Sequence, residues 1–269
     1  MYMNLLPGKT EKSKKVALKA LGSILLLASL LLQGCIAYKY ADISDDVQEI
    51  APGLLEGYMP FTELPDGLVM LPPPPEEGSA AFAHDLEVSS ANLELQNTDR
   101  WTQAAVDANL AFPGALDSYN VLLPLPVTEE NTPYLYLLLR RSVTDAILST
   151  YTAKAYYKRE RPYMVNGQPT CIPVEEDPPE EDGAYPSGHA ALGWAWALIL
   201  AEVYPEQAEA ILLRGREFGE SRIVCNVHWY SDVVAGRFMG SSTVAVLHSN
   251  ETFSHDLKKA IREVKKQID

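Results

Sequence analysis

Three short blocks of the chain hold residue types that together could move a phosphoryl group. The last reads Ser221-Arg222, five residues, His228, three residues, Asp232. It supplies a guanidinium, an imidazole and a carboxylate to orient that imidazole. On a helix, His228 and Asp232 at i and i+4 share one face, and the spacing predicts that they do. The block before it, Pro186-Ser187-Gly188-His189, adds a hydroxyl, a backbone free of side-chain bulk and a second imidazole. The earliest, Lys154, six residues, Arg161-Pro162, adds two cations.

A phosphate monoester meeting this set would find each of its needs answered. Lys154, Arg161 and Arg222 neutralise the charged oxygens, and the guanidinium forks offer paired contacts. Ser187 and Gly188 begin a predicted helix, where free N–H groups and the dipole favour an anion. Gly188 has no side chain to keep the phosphate off the backbone. Such donors stabilise the extra charge of a five-coordinate transition state. His228 is the predicted nucleophile and Asp232 the group that holds its other nitrogen. His189 is expected to protonate the leaving alcohol and then to activate water. Each fragment also has a plain reading: His-x3-Asp as a structural hydrogen bond, Pro-Ser-Gly as a loop-to-helix signal, Arg-Pro as a helix stop. Eleven fixed identities in three ordered blocks outweigh those readings. His84, His248 and His255 lack comparable partners and receive no role. No His/Cys/Asp cluster has metal-ligand spacing, so neither a metal nor another cofactor is expected.

Positioning these groups falls to helices. A helix is predicted from Ser79 towards Thr98, with Phe82, Leu86, Leu93 and Leu95 as core positions, and another from a cap at Thr98 or Asp99 to about Leu110. Residues 111–131, with four prolines and glycines, read as a long loop. Thr132 caps and Pro133 starts a helix expected to reach about Arg159. Its stripe of Leu135, Leu138, Leu139, Val143, Ala146, Ile147 and Thr150 carries Lys154 onto the core-facing side. Arg161-Pro162 ends it. Residues 163–185 read as a polar loop whose acidic run, Glu175–Asp182, is solvated. The apolar segment Ala190–Tyr204 stops at Pro205, and further helices are expected over about 206–219, over 231–248 with close packing at Gly236 and Gly240, and from a cap at Ser254 to Gln267. Strand signals are nearly absent and no repeat stands out. The fold class is therefore all-α.

The ends and the charge set the compartment. Lys9 to Lys19 form a basic region followed by an apolar run, Ala20–Leu32, too short for a span of about 20 residues but suited to a signal peptide. Leu32-Gln33-Gly34-Cys35 resembles the bacterial lipobox, with Gln33 where a small residue is usual, and makes Cys35 the candidate for lipid attachment. A cut after Ala37 by ordinary signal peptidase is the alternative. The expected division is a lipoprotein-like signal peptide over 1–34, a tether and proline-rich arm over 35–78, and an all-α domain over 79–269, in a protein exported to the periplasm. The net charge of −14 becomes −18 once residues 1–34, with five lysines and one glutamate, are removed. A surface of that sign repels nucleic acid polymers and anionic membranes, so an anionic substrate must be drawn to a local cationic pocket. With Cys35 set aside, Cys171 and Cys225 form an even pair in an oxidising compartment. The expectation is a disulfide that ties the loop after Arg161-Pro162 to the nucleophile segment; two buried free thiols are the alternative.

Lys-x6-Arg-Pro, Pro-Ser-Gly-His and Ser-Arg-x5-His-x3-Asp match, without a departure, the tripartite signature of the phosphatidic acid phosphatase/vanadium haloperoxidase superfamily. Within it the chain resembles the class A bacterial non-specific acid phosphatases over roughly residues 70–250, including the Pro72–Pro75 run and the placement of Cys171 and Cys225. The resemblance implies a secreted, metal-independent helical-bundle enzyme that forms homo-oligomers. It implies hydrolysis of many phosphate monoesters through a phosphohistidine, and transfer of the phosphoryl group to alcohols. Three rivals follow. An integral lipid phosphatase needs several spans, and the best mature candidate, Ala190–Tyr204, is short and contains Glu202. A vanadium haloperoxidase would hold vanadate in the same pocket. A phosphate-binding lipoprotein would bind without turnover.

Overall fold

Long apolar segments of this chain fold as helices because only a helix satisfies their backbone groups internally while burying side chains on several sides. The computed structural model describes residues 47–173 and 182–268. The N-terminal targeting segment and the candidate lipidation site Cys35 lie outside them, as does most of the acidic run. The described chain opens with a small antiparallel hairpin, β1 (Glu49–Ala51) and β2 (Leu54–Leu55), and is otherwise helical. The helices are α1 (Gly67–Met70), α2 (Ala80–Leu93), α3 (Asp99–Asp107), α4 (Asp117–Asn120), α5 (Pro133–Leu148), α6 (Tyr151–Tyr157), α7 (Pro162–Asn166), α8 (Gly188–Val203), α9 (Ala208–Val224), α10 (Tyr230–Leu247) and α11 (Glu251–Ile268). No described helix is long and apolar enough to cross a membrane.

Helix α8 is the axis of the bundle. Its residues are apolar almost all round, and α5, α9 and α10 pack against it. Trp196 on α8 donates its indole N–H to the Leu139 carbonyl at 3.1 Å. Tyr119 donates its hydroxyl to the Gly193 carbonyl at 2.7 Å. On α10, a Cβ at Gly236 or Gly240 would strike the carbonyl oxygen of Ser187 or Ala191. These two glycines let α10 approach α8 closely, as their spacing predicted.

Several expectations from sequence are corrected. Helix α2 turns Asp85 and Ser89 inward and leaves Leu86 43% exposed. Polar residues win that face because Asp85 is paired with Arg159 and Ser231. The segment 111–131 is not only loop: Leu116 and Tyr119 are fully buried, and α4 lies within it. The single helix expected over 133–159 is two, α5 and α6, ending at Lys158 in the left-handed conformation. The start of α5 is closed not by the Thr132 side chain but by Glu263 of α11, which accepts from the N–H groups of Tyr134 and Leu135. Arg161-Pro162 does not end a helix; it opens α7. Helix α9 runs on to Val224, and α11 starts at Glu251, where Asn250 accepts the Phe253 N–H.

From Val47 on, the chain forms one compact unit. Its N-terminal arm is latched to α5: Thr144 donates to the Leu55 carbonyl at 2.6 Å, and the Asp145 carboxylate accepts from the N–H groups of Tyr58 and Met59 at 2.9 and 3.0 Å. Burial raises the Asp145 pKa to about 6, even though these two N–H groups and Arg141 favour the charged form. A carboxyl whose folded pKa is raised favours folding below its unfolded value and loses that contribution as pH rises through the folded value. Relative to Asp145→Asn, the wild-type protein is therefore expected to lose roughly 3 kcal/mol of unfolding free energy between about pH 4 and pH 6. Urea melts of both proteins across that range check it; a constant difference would contradict it.

Candidate active site

The two cations of the first block reach a common point from different elements. Lys154 projects from the inner face of α6 and is 4% exposed; Arg161, the residue that precedes α7, is 6% exposed. Lys154 Nζ donates to the Gly183 carbonyl at 2.7 Å. The Arg161 guanidinium donates to the Val227 carbonyl at 3.3 Å and lies 3.4 Å from His228 Nε2. Its buried Nε has no partner among the described residues.

Asp182 spans the two cations. One carboxylate oxygen sits 2.9 Å from Lys154 Nζ and the other 3.0 Å from Arg161 Nη2. The last member of the acidic run is thus no solvated bystander, contrary to the reading from sequence.

The second block forms the start of α8. Ser187 is fully buried and caps the helix, its Oγ accepting from the Ala190 N–H at 3.3 Å. Its own N–H is already used by the Asp232 carbonyl at 2.9 Å, so the backbone donors left here are those of Gly188 and His189. A Cβ added at Gly188 would meet only ordinary contacts, 3.6 Å from Thr150 Oγ1 and 3.9 Å from Lys154 Cε. Among the described residues nothing in the packing requires glycine there, and its lack of a side chain leaves the backbone open to close approach. His189 Nε2 lies 3.1 Å from the Ala108 carbonyl. A carbonyl only accepts, so Nε2 carries hydrogen and Nδ1 is the nitrogen that gains or loses a proton.

The third block is built differently from its spacing. His228 and Asp232 do not share a helix: α9 ends at Val224, α10 begins at Tyr230, and His228 lies in the turn between. That turn is made by Asn226, whose φ of 64° is left-handed, a conformation Asn tolerates better than most residues. The Arg222 carbonyl accepts from the N–H groups of both Val227 and His228, at 3.1 and 3.2 Å. Asp232 stands in the first turn of α10 and closes it, with Oδ2 accepting from the Trp229 N–H at 2.8 Å and 3.3 Å from His228 Nδ1. A helix-capping carboxylate therefore also holds the imidazole, which leaves Nε2 facing Arg161. The Arg222 side chain is buried nearby, but Ser221 points elsewhere: it bonds Asp107 and accepts from Arg100 at 2.9 Å.

Sequence reasoning missed the residue that fixes Asp232. Arg159 donates to Asp232 Oδ1 at 2.5 Å and, through its other nitrogen, to Asp85 at 2.7 Å. Asp85 in turn holds Ser231. The only trace of this in the sequence is a buried-phase Asp on α2 and an extra arginine between Lys154 and Arg161.

Charge follows from this enclosure. Burial, then Arg161, Lys154, Arg222 and His189, push the His228 pKa well below the ordinary histidine value. Burial, then Arg222, do the same to His189. Burial raises Asp232 to about 6 against the opposing pull of Arg159, and burial lowers Lys154 against the pull of Asp182. An anion entering this pocket would reverse much of the repulsion among its cations.

Cys171 and Cys225 are bonded, with Cα atoms 4.8 Å apart, and the Cys171 N–H also reaches the Cys225 carbonyl at 3.3 Å. The bond ties the segment after α7 to the end of α9, three residues before His228. It closes a stretch of 54 residues. Restricting the unfolded chain to that extent contributes about 2–4 kcal/mol. Cys225→Ser is expected to lower stability by that amount in urea unfolding; a change under about 0.5 kcal/mol would show that the packing alone holds the turn.

A model of the PAP2 superfamily matches residues 133–254. The chain is 43% identical over 210 residues to a non-specific acid phosphatase of Providencia stuartii, covering 78% of this chain and 85% of that protein. It is 38% identical over 201 residues to an acid phosphatase of Zymomonas mobilis, covering 75% and 76%. A non-specific acid phosphatase of Salmonella typhimurium is 35% identical over 195 residues, covering 72% and 78%.

Proposed function

The chain belongs to the PAP2 superfamily, on the side of the bacterial class A acid phosphatases, and from that premise we propose that it hydrolyses phosphate monoesters of varied leaving group through a phosphohistidine at His228. The observation that carries the proposal is the placement of His228: Asp232 at Nδ1, and Nε2 turned to the Arg161 guanidinium. That is the arrangement of a neutral imidazole with its lone pair directed at a phosphate-binding point.

The reaction follows from the same atoms. The phosphoryl oxygens displace Asp182 and settle on Lys154, Arg161, Arg222, the Ser187 hydroxyl and the free N–H groups at the start of α8. Two negative charges arriving beside His189 favour its protonated form, which carries the new proton on Nδ1. His228 Nε2 attacks phosphorus, the bond to the leaving oxygen breaks, and His189 gives that oxygen its proton. The imidazole now bears positive charge, stabilised by Asp232. A water molecule then attacks phosphorus, His189 takes its proton, the P–N bond breaks and His228 returns to its neutral state. An alcohol in place of water gives phosphoryl transfer. Burial and the surrounding cations depress the His228 pKa, which favours the unprotonated form of the nucleophile.

Release of p-nitrophenol from its phosphate ester, with inhibition by vanadate, tests the reading. Tight phosphate binding without such release would replace it with a binding protein. Peroxide-dependent bromination by vanadate-loaded protein, with negligible phosphatase turnover, would replace it with a haloperoxidase. Export, attachment of lipid at Cys35 and assembly into homo-oligomers complete the proposal. Mass analysis of the mature N-terminus and sedimentation of the full processed protein test them.

A further inference from the structure

The position of Asp182 has a consequence for how tightly the pocket holds phosphate. A carboxylate that merely supports a neighbouring group sits behind it, as Asp232 does behind His228, fully buried. Asp182 is placed the other way round: its side chain is 32% exposed while the side chains of Lys154 and Arg161 are 5% and 7% exposed. It lies between the cations and solvent.

The backbone beneath it is fixed. The Gly183 carbonyl accepts from Lys154 Nζ at 2.7 Å, and the Ala184 N–H donates to the Arg159 carbonyl at 2.8 Å. A Cβ at Gly183 would come within 2.8 Å of the Lys154 carbonyl oxygen and of Lys158 Cα. Only glycine lets this stretch lie flat against residues 154–159, and that contact carries the neighbouring carboxylate over the two cations. Its main-chain carbonyl also accepts from Arg161 Nη2 at 3.3 Å, so with the main chain in place only the carboxylate can leave the cations.

We propose that Asp182 is a built-in competitor for the phosphate seat, a carboxylate that neutralises Lys154 and Arg161 in the empty enzyme and must swing aside for a phosphoryl group to bind. The inference rests on the phosphatase reading of the pocket and adds to it the control of substrate and product affinity. An internal occupant lowers apparent affinity by the fraction of time the site is open. If the carboxylate holds the cations about nine-tenths of the time, phosphate binds about tenfold more weakly than the open site would allow. The same displacement helps release inorganic phosphate after turnover, because Asp182 can return to the cations as the product leaves.

Calorimetric binding of inorganic phosphate to wild type, Asp182→Asn and Asp182→Ala tests this without depending on turnover. Both variants are expected to bind phosphate about tenfold more tightly, and the KM for p-nitrophenyl phosphate is expected to fall by a similar factor while kcat does not rise. A purely supporting role for Asp182 would instead weaken binding. Phosphate affinity that is unchanged within twofold, or reduced, overturns the proposal. A crystal structure of the wild-type protein with phosphate gives a second reading: the Asp182 carboxylate is expected beyond hydrogen-bond distance of both Lys154 and Arg161, and its persistence on both cations beside bound phosphate would overturn the proposal as well. Failure of the wild type to release p-nitrophenol would count against the phosphatase reading, whereas phosphate affinity decides the role of Asp182.

Discussion

His228→Ala is expected to lower kcat by about 10⁴–10⁶-fold, the range seen when a nucleophile acting as part of a unit is removed. The imidazole is 2% exposed and sits in a turn fixed by the Arg222 carbonyl, the left-handed Asn226 and the Cys171–Cys225 bond. Those constraints are backbone and disulfide contacts, and they survive loss of the side chain. The cations Lys154, Arg161 and Arg222 also survive, so the variant is expected to keep the proposed phosphate seat. What disappears is the atom proposed to bond phosphorus. Rapid quenching into alkali, where an N-bound phosphoryl group persists, is expected to trap labelled phosphoprotein from wild type and none from the variant. Turnover within tenfold of wild type would end the covalent mechanism and make water the direct attacker.

Asp232→Asn carries the second large effect, a fall in kcat of about 10³–10⁴-fold by analogy with the loss of an orienting carboxylate in other nucleophile–imidazole–carboxylate sites. Both oxygens of Asp232 accept: Oδ1 from Arg159, Oδ2 from Trp229 N–H and from His228 Nδ1. An amide cannot accept at both ends. With its NH2 towards Arg159, two donors confront each other at a buried site. With its NH2 towards His228, it donates to Nδ1 and moves the ring hydrogen to Nε2, which removes the attacking lone pair. Either orientation impairs the chemistry and leaves the phosphate contacts in place. Inorganic phosphate affinity is therefore expected to change far less than kcat. A loss of binding as large as the loss of rate would show that Asp232 acts through the fold of the pocket instead.

The residues that recur at fixed spacing were legible without coordinates, and for a physical reason. Phosphate needs cations, small backbone and donors whatever the surrounding fold, so Lys154, Arg161, Ser187, Gly188, His189, Arg222, His228 and Asp232 could be singled out from residue type. The apolar period of α5 and α8 was equally plain, since helices that bury one or all faces must repeat at three and four residues. The boundaries were less so. The break between α5 and α6, and the burial of Asp85 rather than Leu86, depend on partners distant in sequence.

What the sequence determined by itself was the chemical inventory and the all-α class, together with the cysteine pair available for bonding. What only the tertiary structure decided was who holds whom. His228 and Asp232 meet across a turn, not along a helix, because α9 extends to Val224 and the Asp232 carboxylate closes α10. Arg159 secures Asp232 across 73 positions of sequence, and Asp182 covers cations 28 and 21 positions before it. Ion pairs of this kind leave no periodic signal in a chain. Their strength comes from a buried setting of low polarity, and that setting exists only once the helices have packed.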